Sequence, residues 1–188
     1  MRTIAVNVSA LEFRDENFLH GLLAILSEIG MDPRLLELEL TESVLMKHPE
    51  AAASILQSLR EKGVRVAIDD FGTGYSSLGY LQKFPLDVLK IDQSFLRQVG
   101  TPGADTSIVT AVIAMAQSLK LWVIAEGVET LEQLEFLRVH RCDAAQGYYF
   151  SRPVLPEQFA KLLRNGIPHV ATGHRVSSKP GTAEVVGA

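Results

Sequence analysis

VRVAIDDFGTG, from Val64 to Gly74, is the stretch that decides the fold. It starts as a near-continuous apolar and β-branched run, which suits a strand buried on both faces of a parallel sheet. It then meets two adjacent carboxylates, Asp69 and Asp70, and breaks into Phe71-Gly72-Thr73-Gly74. Side chains alternate along a strand, so both acids reach one site only where the strand ends and the backbone turns.

Five more stretches repeat the design. IAVNVS reaches Asn7, LELEL reaches Glu39, VLKID reaches Lys90, VIAEG reaches Glu126 and AAQGYYF reaches Gln146. Segments of helical period lie between them. Phe18, Leu22, Ile25, Leu26 and Ile29 form one stripe, closed by Gly30. Ala52, Ile55, Leu56 and Leu59 form a second, closed by Gly63, and Ile108, Val112, Met115 and Leu119 a third. Thr130 opens a fourth helix with Gln133 as its capping-box partner and Leu134 and Leu137 facing inward. Pro156 suits the first turn of a last helix carrying Phe159, Leu162 and Leu163, and Leu78 and Leu81 mark a short one after Ser76 and Ser77. Strand and helix alternate throughout, which predicts an α/β fold with a parallel sheet. Functional side chains at successive strand ends predict an incomplete TIM-type (β/α) barrel with six of its eight βα units, since a complete barrel usually needs ~250 residues.

Bulk properties narrow the classes. A chain of 188 residues, 47% hydrophobic and 21% charged, has the makings of one globular domain. A net charge of -4 with no Lys/Arg cluster argues against a nucleic-acid surface. Cys142 is the single cysteine, which excludes an internal disulfide and points to a reducing, cytoplasmic compartment. No signal-peptide pattern and no apolar stretch near the ~20 residues of a membrane-spanning helix occur, so no membrane contact is expected. From Pro168 onward small and polar residues replace periodicity, and 168–188 is expected to be a disordered tail that includes His169 and His174. Residues 1–167 are expected to be the folded domain.

Asn7, Glu39, Asp69, Asp70 and Glu126 offer oxygen donors, without clustered Cys or His, and favour Mg²⁺ or Mn²⁺ over Zn²⁺. Two cations about 3.5–4 Å apart are a recurring device for phosphodiester cleavage, with Lys90 nearby as a fixed positive charge. Each position has a plainer reading. Asn7 suits a turn; Glu39 and Glu42 suit solvent or a helix cap near Thr41 and Ser43; Lys90 suits a surface ion pair. Taken together, six such residues at matching strand ends favour the functional one.

The motifs resemble the EAL family of cyclic-di-GMP phosphodiesterases. The resemblance rests on VNVSA (Val6 to Ala10), ELELTES (Glu37 to Ser43), AIDDFGTGYSSLGYLQKFPLDVLKID (Ala67 to Asp92), IAEGVET (Ile124 to Thr130) and QGYYFSRP (Gln146 to Pro153). It implies hydrolysis of cyclic-di-GMP to pGpG with Mg²⁺ or Mn²⁺, inhibited by Ca²⁺. It further implies that Asn7, Glu39, Asp69 and Asp70 are metal ligands, with Asp69 bridging. Lys90 matches the lysine that positions the attacking water, Glu126 and Gln146 match the metal-water shell, and Glu42 matches the acid that holds the loop from Asp70 to Ser77. Gln146, Tyr148 and Pro153 fall on the substrate side, the last two in the segment lining the guanine pocket. Glu129 matches a further acid of the family.

One departure bears on activity. The Glu-Ala-Leu tripeptide that names the family, whose glutamate is a metal ligand, does not occur. Met1 falls just before the third strand of the family pattern, so the first two βα units are expected to be absent, leaving the strands near Val6 and Tyr148 each without a neighbour. The expectation is a phosphodiesterase domain of weak or no activity by itself, with a partner or further copy as a source of the missing strands. A second reading is a catalytically silent module that binds cyclic-di-GMP or a protein.

Overall fold

The computed structural model describes residues 3–72, 78–101, 103 and 105–166. The predicted tail at 168–188, with His169 and His174, lies outside them, as do Thr73 to Ser77 of the predicted loop. The described residues form two compact units, one of those up to 90 with 116–122, the other of those in 91–115 with those from 123 onward.

The first unit carries β1 (Ile4–Asn7), α1 (Ala10–Phe13), α2 (Phe18–Glu28), a 3-10 turn at Pro33–Leu35, β2 (Leu36–Thr41), α3 (Glu42–Met46), α4 (Pro49–Glu61), β3 (Arg65–Phe71), α5 (Leu78–Leu81) and most of β4 (Val88–Ile91). The second carries α6 (Gln93–Leu96), most of α7 (Ser107–Ser118) and β5 (Trp122–Ala125), then α8 (Leu131–Val139), β6 (Ala144–Ala145) and α9 (Pro156–Asn165). Every strand is followed by a helix, giving the six expected βα units.

Pairing in the first unit is parallel. Asn7 lies opposite Glu39, Glu39 opposite Ala67, and Thr41 opposite Asp69. β2 shows why the sequence behaves this way: Leu36, Leu38 and Leu40 point to one face and Glu37 and Glu39 to the other, and all five are buried. The leucine face joins Leu45, Leu56, Leu59, Val66 and Ile68 in a core excluded from water. In the second unit β5 pairs with β6, Ala125 opposite Ala145.

Several expectations are corrected. α2 buries Leu26 alone and leaves Ile25 and Ile29 exposed. α7 buries Val109, Ile113 and Ala116, one residue on from the predicted stripe. Its sequence, SIVTAVIAMAQS, is apolar on most sides, so periodicity could not choose the inner face. α9 has no buried residue. The last strand stops at Ala145, and Tyr148 sits in the turn after it. The expected edges are present: among the described residues β1 pairs only with β2 and β6 only with β5, and Ile4 and Val6 are 57% and 44% exposed.

Candidate active site

The strand ends of the first unit gather a buried ionic group. Glu39 is the fourth of the six residues of β2, Asp69 lies near the end of β3, and Lys90 is the third residue of β4. Lys90 Nζ lies 2.6 Å from Glu39 Oε2 and 3.2 Å from Asp69 Oδ1, and all three side chains are at most 12% exposed. The surface-pair reading of Lys90 is therefore wrong: the residue is 3% exposed and its ammonium spans two acids from two other strands.

Asp70 turns the chain. Its φ of 52° is left-handed, a conformation uncommon outside glycine, asparagine and aspartate. The break expected at Phe71-Gly72-Thr73-Gly74 thus begins one residue earlier, on the second carboxylate itself. The Asp70 N–H donates to Asp69 Oδ1 at 3.0 Å, so the kink also fixes its neighbour. Strain of this kind costs about 1–3 kcal/mol and persists where surrounding structure overrides it.

Glu42 opens α3 at 3% exposure. Its Oε2 accepts from the Gly72 N–H at 3.4 Å, at the start of the loop assigned to it, while Oε1 is buried and has no hydrogen-bond partner among the described residues. Asn7 ends β1 opposite Glu39 and is exposed. One contributor was passed over in the sequence. Glu37, 4% exposed, shares the inner face with Glu39 and pairs with Arg65 at 3.4 Å. Burial pushes its carboxyl above the usual range; Arg65 opposes this and the neighbouring acids Glu39 and Asp87 add to it. The i, i+2 spacing in LELEL was the signal.

Among its described residues the first unit therefore buries four carboxylates, Glu37, Glu39, Glu42 and Asp69, against one buried ammonium and the partly exposed Arg65. An oxygen-only set with surplus negative charge and an unpartnered buried carboxylate oxygen fits a hard divalent cation.

The second unit holds the other assigned residues. Glu126 follows β5, and its N–H donates to the Ile91 carbonyl at 3.1 Å. Gln146 follows β6; its N–H donates to the Ala125 carbonyl at 2.8 Å, and its Oε1 is buried without a partner among the described residues. Tyr148 is 53% exposed, with the Arg152 guanidinium 4.4 Å from its ring centroid. Pro153 lies exposed in the segment before α9. Glu129 lines an open cleft of about 580 Å³ with Gln93, Arg97 and Glu132.

Comparison with known proteins gives a consistent picture. A family model described as EAL domain matches residues 1–153. Cyclic di-GMP phosphodiesterase NbdA of Pseudomonas aeruginosa is 45% identical over 86% of the chain and 21% of its own length. The chain spans about a fifth of the length of the curated relatives it matches first. Among solved structures, the EAL domain of Mycobacterium smegmatis DcpA superposes with a TM-score of 0.82 at 41% identity, covering 88% of this chain and 74% of that one. Klebsiella pneumoniae BlrP1, solved as a complex with manganese and cyclic-di-GMP, gives 0.72 at 32% identity over 80% of this chain and 38% of that one. These matches establish the α/β, partial TIM-barrel fold.

Proposed function

Because the chain belongs to the EAL-domain family, we propose that it carries most of a site for metal-dependent hydrolysis of cyclic-di-GMP to pGpG, and that the 188-residue polypeptide alone turns over slowly or not at all. The observation that carries the reading is the Lys90 ammonium held between Glu39 and Asp69 in a buried, oxygen-rich strand-end group. TIM-type barrels place catalytic residues at this end of their strands.

In this reading Asn7, Glu39, Asp69 and Asp70 hold Mg²⁺ or Mn²⁺. A bound divalent cation supplies Lewis acidity and lowers the pKa of a water. Lys90 orients the attacking water and compensates the acids when the cation is away. Glu42 tethers the loop that starts at Gly72. By family resemblance Glu126 and Gln146 are assigned to the water shell, and Gln146, Tyr148 and Pro153 to the dinucleotide. The absence of a Glu-Ala-Leu tripeptide removes one anionic donor from this set. Losing a direct ligand should cost more than the roughly 10–100-fold that follows loss of an outer-shell partner.

A second reading has its own support. The exposed Ile4 and Val6 on a strand paired on one side make β1 an edge able to accept a further strand, from a partner or another copy. In that reading the chain is a silent binding or interaction module.

The test is a phosphodiesterase assay with Mn²⁺ beside NbdA, with calorimetric titration of cyclic-di-GMP. The proposal expects turnover at least about 100-fold below the relative. Comparable turnover overturns the low-activity part. Binding without any turnover selects the silent module, and absence of both binding and turnover removes the ligand from either reading.

A further inference from the structure

We propose that Gly147 is a positioning residue: by carrying no side chain it lets the loops after β5 and β6 interlock through Val128, and the interlock fixes where Glu126 and Gln146 sit. This rests on the reading that those two side chains serve the cyclic-di-GMP site.

Three backbone hydrogen bonds make the interlock. Gln146 N–H donates to the Ala125 carbonyl at 2.8 Å, Val128 N–H to the Gln146 carbonyl at 3.0 Å, and Tyr149 N–H to the Val128 carbonyl at 2.9 Å. Val128 thus spends both backbone groups on the opposite loop, and its side chain is fully buried. Glu126 is held from its other side by the bond from its N–H to the Ile91 carbonyl at 3.1 Å. Gly147 is the point of closest approach. A Cβ there would lie 2.3 Å from both the nitrogen and the oxygen of Val128 and 2.8 Å from its carbonyl carbon. All three are backbone atoms, so no change of rotamer relieves the clash. Any side chain at 147 must drive the two loops apart, breaking the bonds on either side of Val128 and releasing the segments that carry Glu126 and Gln146. Gly21, by contrast, has nothing within 4 Å of an added Cβ.

The test compares Gly147→Ala with Leu137→Ala, a core truncation in α8 at a residue that makes none of the three interlock hydrogen bonds. Amide exchange is followed residue by residue in the 188-residue chain, with cyclic-di-GMP affinity in Mn²⁺. Gly147→Ala should cost the Val128 and Tyr149 amides about 100-fold or more of their protection while the amides of β5 keep theirs, and should weaken binding about tenfold or more. Leu137→Ala should lower protection evenly and leave affinity unchanged. Retained protection at Val128 and Tyr149 in Gly147→Ala overturns the interlock. Lost protection with unchanged affinity overturns the positioning role. If the unsubstituted chain binds no cyclic-di-GMP, the functional reading fails by itself, and the side-chain amide resonance of Gln146 decides: displaced in Gly147→Ala supports positioning, unmoved overturns it.

Discussion

Replacing Lys90 with methionine keeps the length and bulk of the side chain and removes its charge. Glu39 and Asp69 then face each other in a space where neither side chain is more than 12% exposed. At an effective dielectric constant of ~20, the two contacts at 2.6 and 3.2 Å correspond to roughly 6 and 5 kcal/mol of attraction. Desolvation of each ion consumes several kcal/mol of this, but breaking a buried pair still costs about 3–5 kcal/mol because the partners stay behind uncompensated. That is a large part of the ~5–15 kcal/mol by which domains are stable. Urea unfolding followed by circular dichroism should show the midpoint falling with little change in slope. A double-mutant cycle with Glu39→Gln should give a coupling of about 1–3 kcal/mol. Mn²⁺ should stabilise Lys90→Met more than the unsubstituted chain, because the donor set has gained one net negative charge. A loss below ~1 kcal/mol, the range of exposed ion pairs, would refute the reasoning, since the three charges would then be solvated.

Two further outcomes follow from single groups. Glu37 holds its proton more tightly in the fold than in the unfolded chain, chiefly through burial, so its contribution to stability is complete below the ordinary glutamate value of 4.5 and is lost as pH rises through the higher folded value. Glu37→Gln should flatten the decline of unfolding free energy with pH above that point; an unchanged slope would show that the carboxyl titrates as if solvated. Burial pushes the Cys142 thiol up to about 12, so only on the order of one molecule in ten thousand is thiolate at pH 8. Alkylation at that pH should be slow and accelerate in urea, whereas fast labelling in buffer would show a thiol that titrates as if solvated.

The parts of the fold legible in the sequence are those fixed by local rules. The capping box from Thr130 to Gln133 is present as expected, with Gln133 also reaching the Leu96 carbonyl at 3.0 Å. β3 could be drawn from its apolar run because a strand buried on both faces has little choice of composition. Features that depend on distant partners were not legible. That Lys90 stands near the acids could be read from its strand end, but not that its ammonium sits between Glu39 and Asp69, since those acids come from β2 and β3. β6 shortens to two residues because Gln146 and Tyr149 spend their backbone groups on Val128 instead of extending a ladder. The sequence also hides a repeated device: Asp87 accepts from the Val66 N–H and Asp143 from the Val123 N–H, each at 2.9 Å, so an acid ahead of one strand holds the start of another.

The lysine among the acids has a consequence for how such a site can form at all. Four buried carboxylates in one unit would repel one another in the absence of a cation, and a chain built that way would fold only with its metal, as small zinc domains do. Lys90 and Arg65 supply part of the missing positive charge from within the chain. The arrangement of Glu39 and Asp69 is therefore set by the fold itself, and a cation bound there as proposed would meet oxygens already shared with an ammonium. In the proposed reading some affinity would be given up for a site that stands without its metal, while the excess of buried carboxylates over Lys90 and Arg65 keeps the group short of neutrality. If the proposed function holds, that residual charge is what would draw a hard cation to this end of the strands.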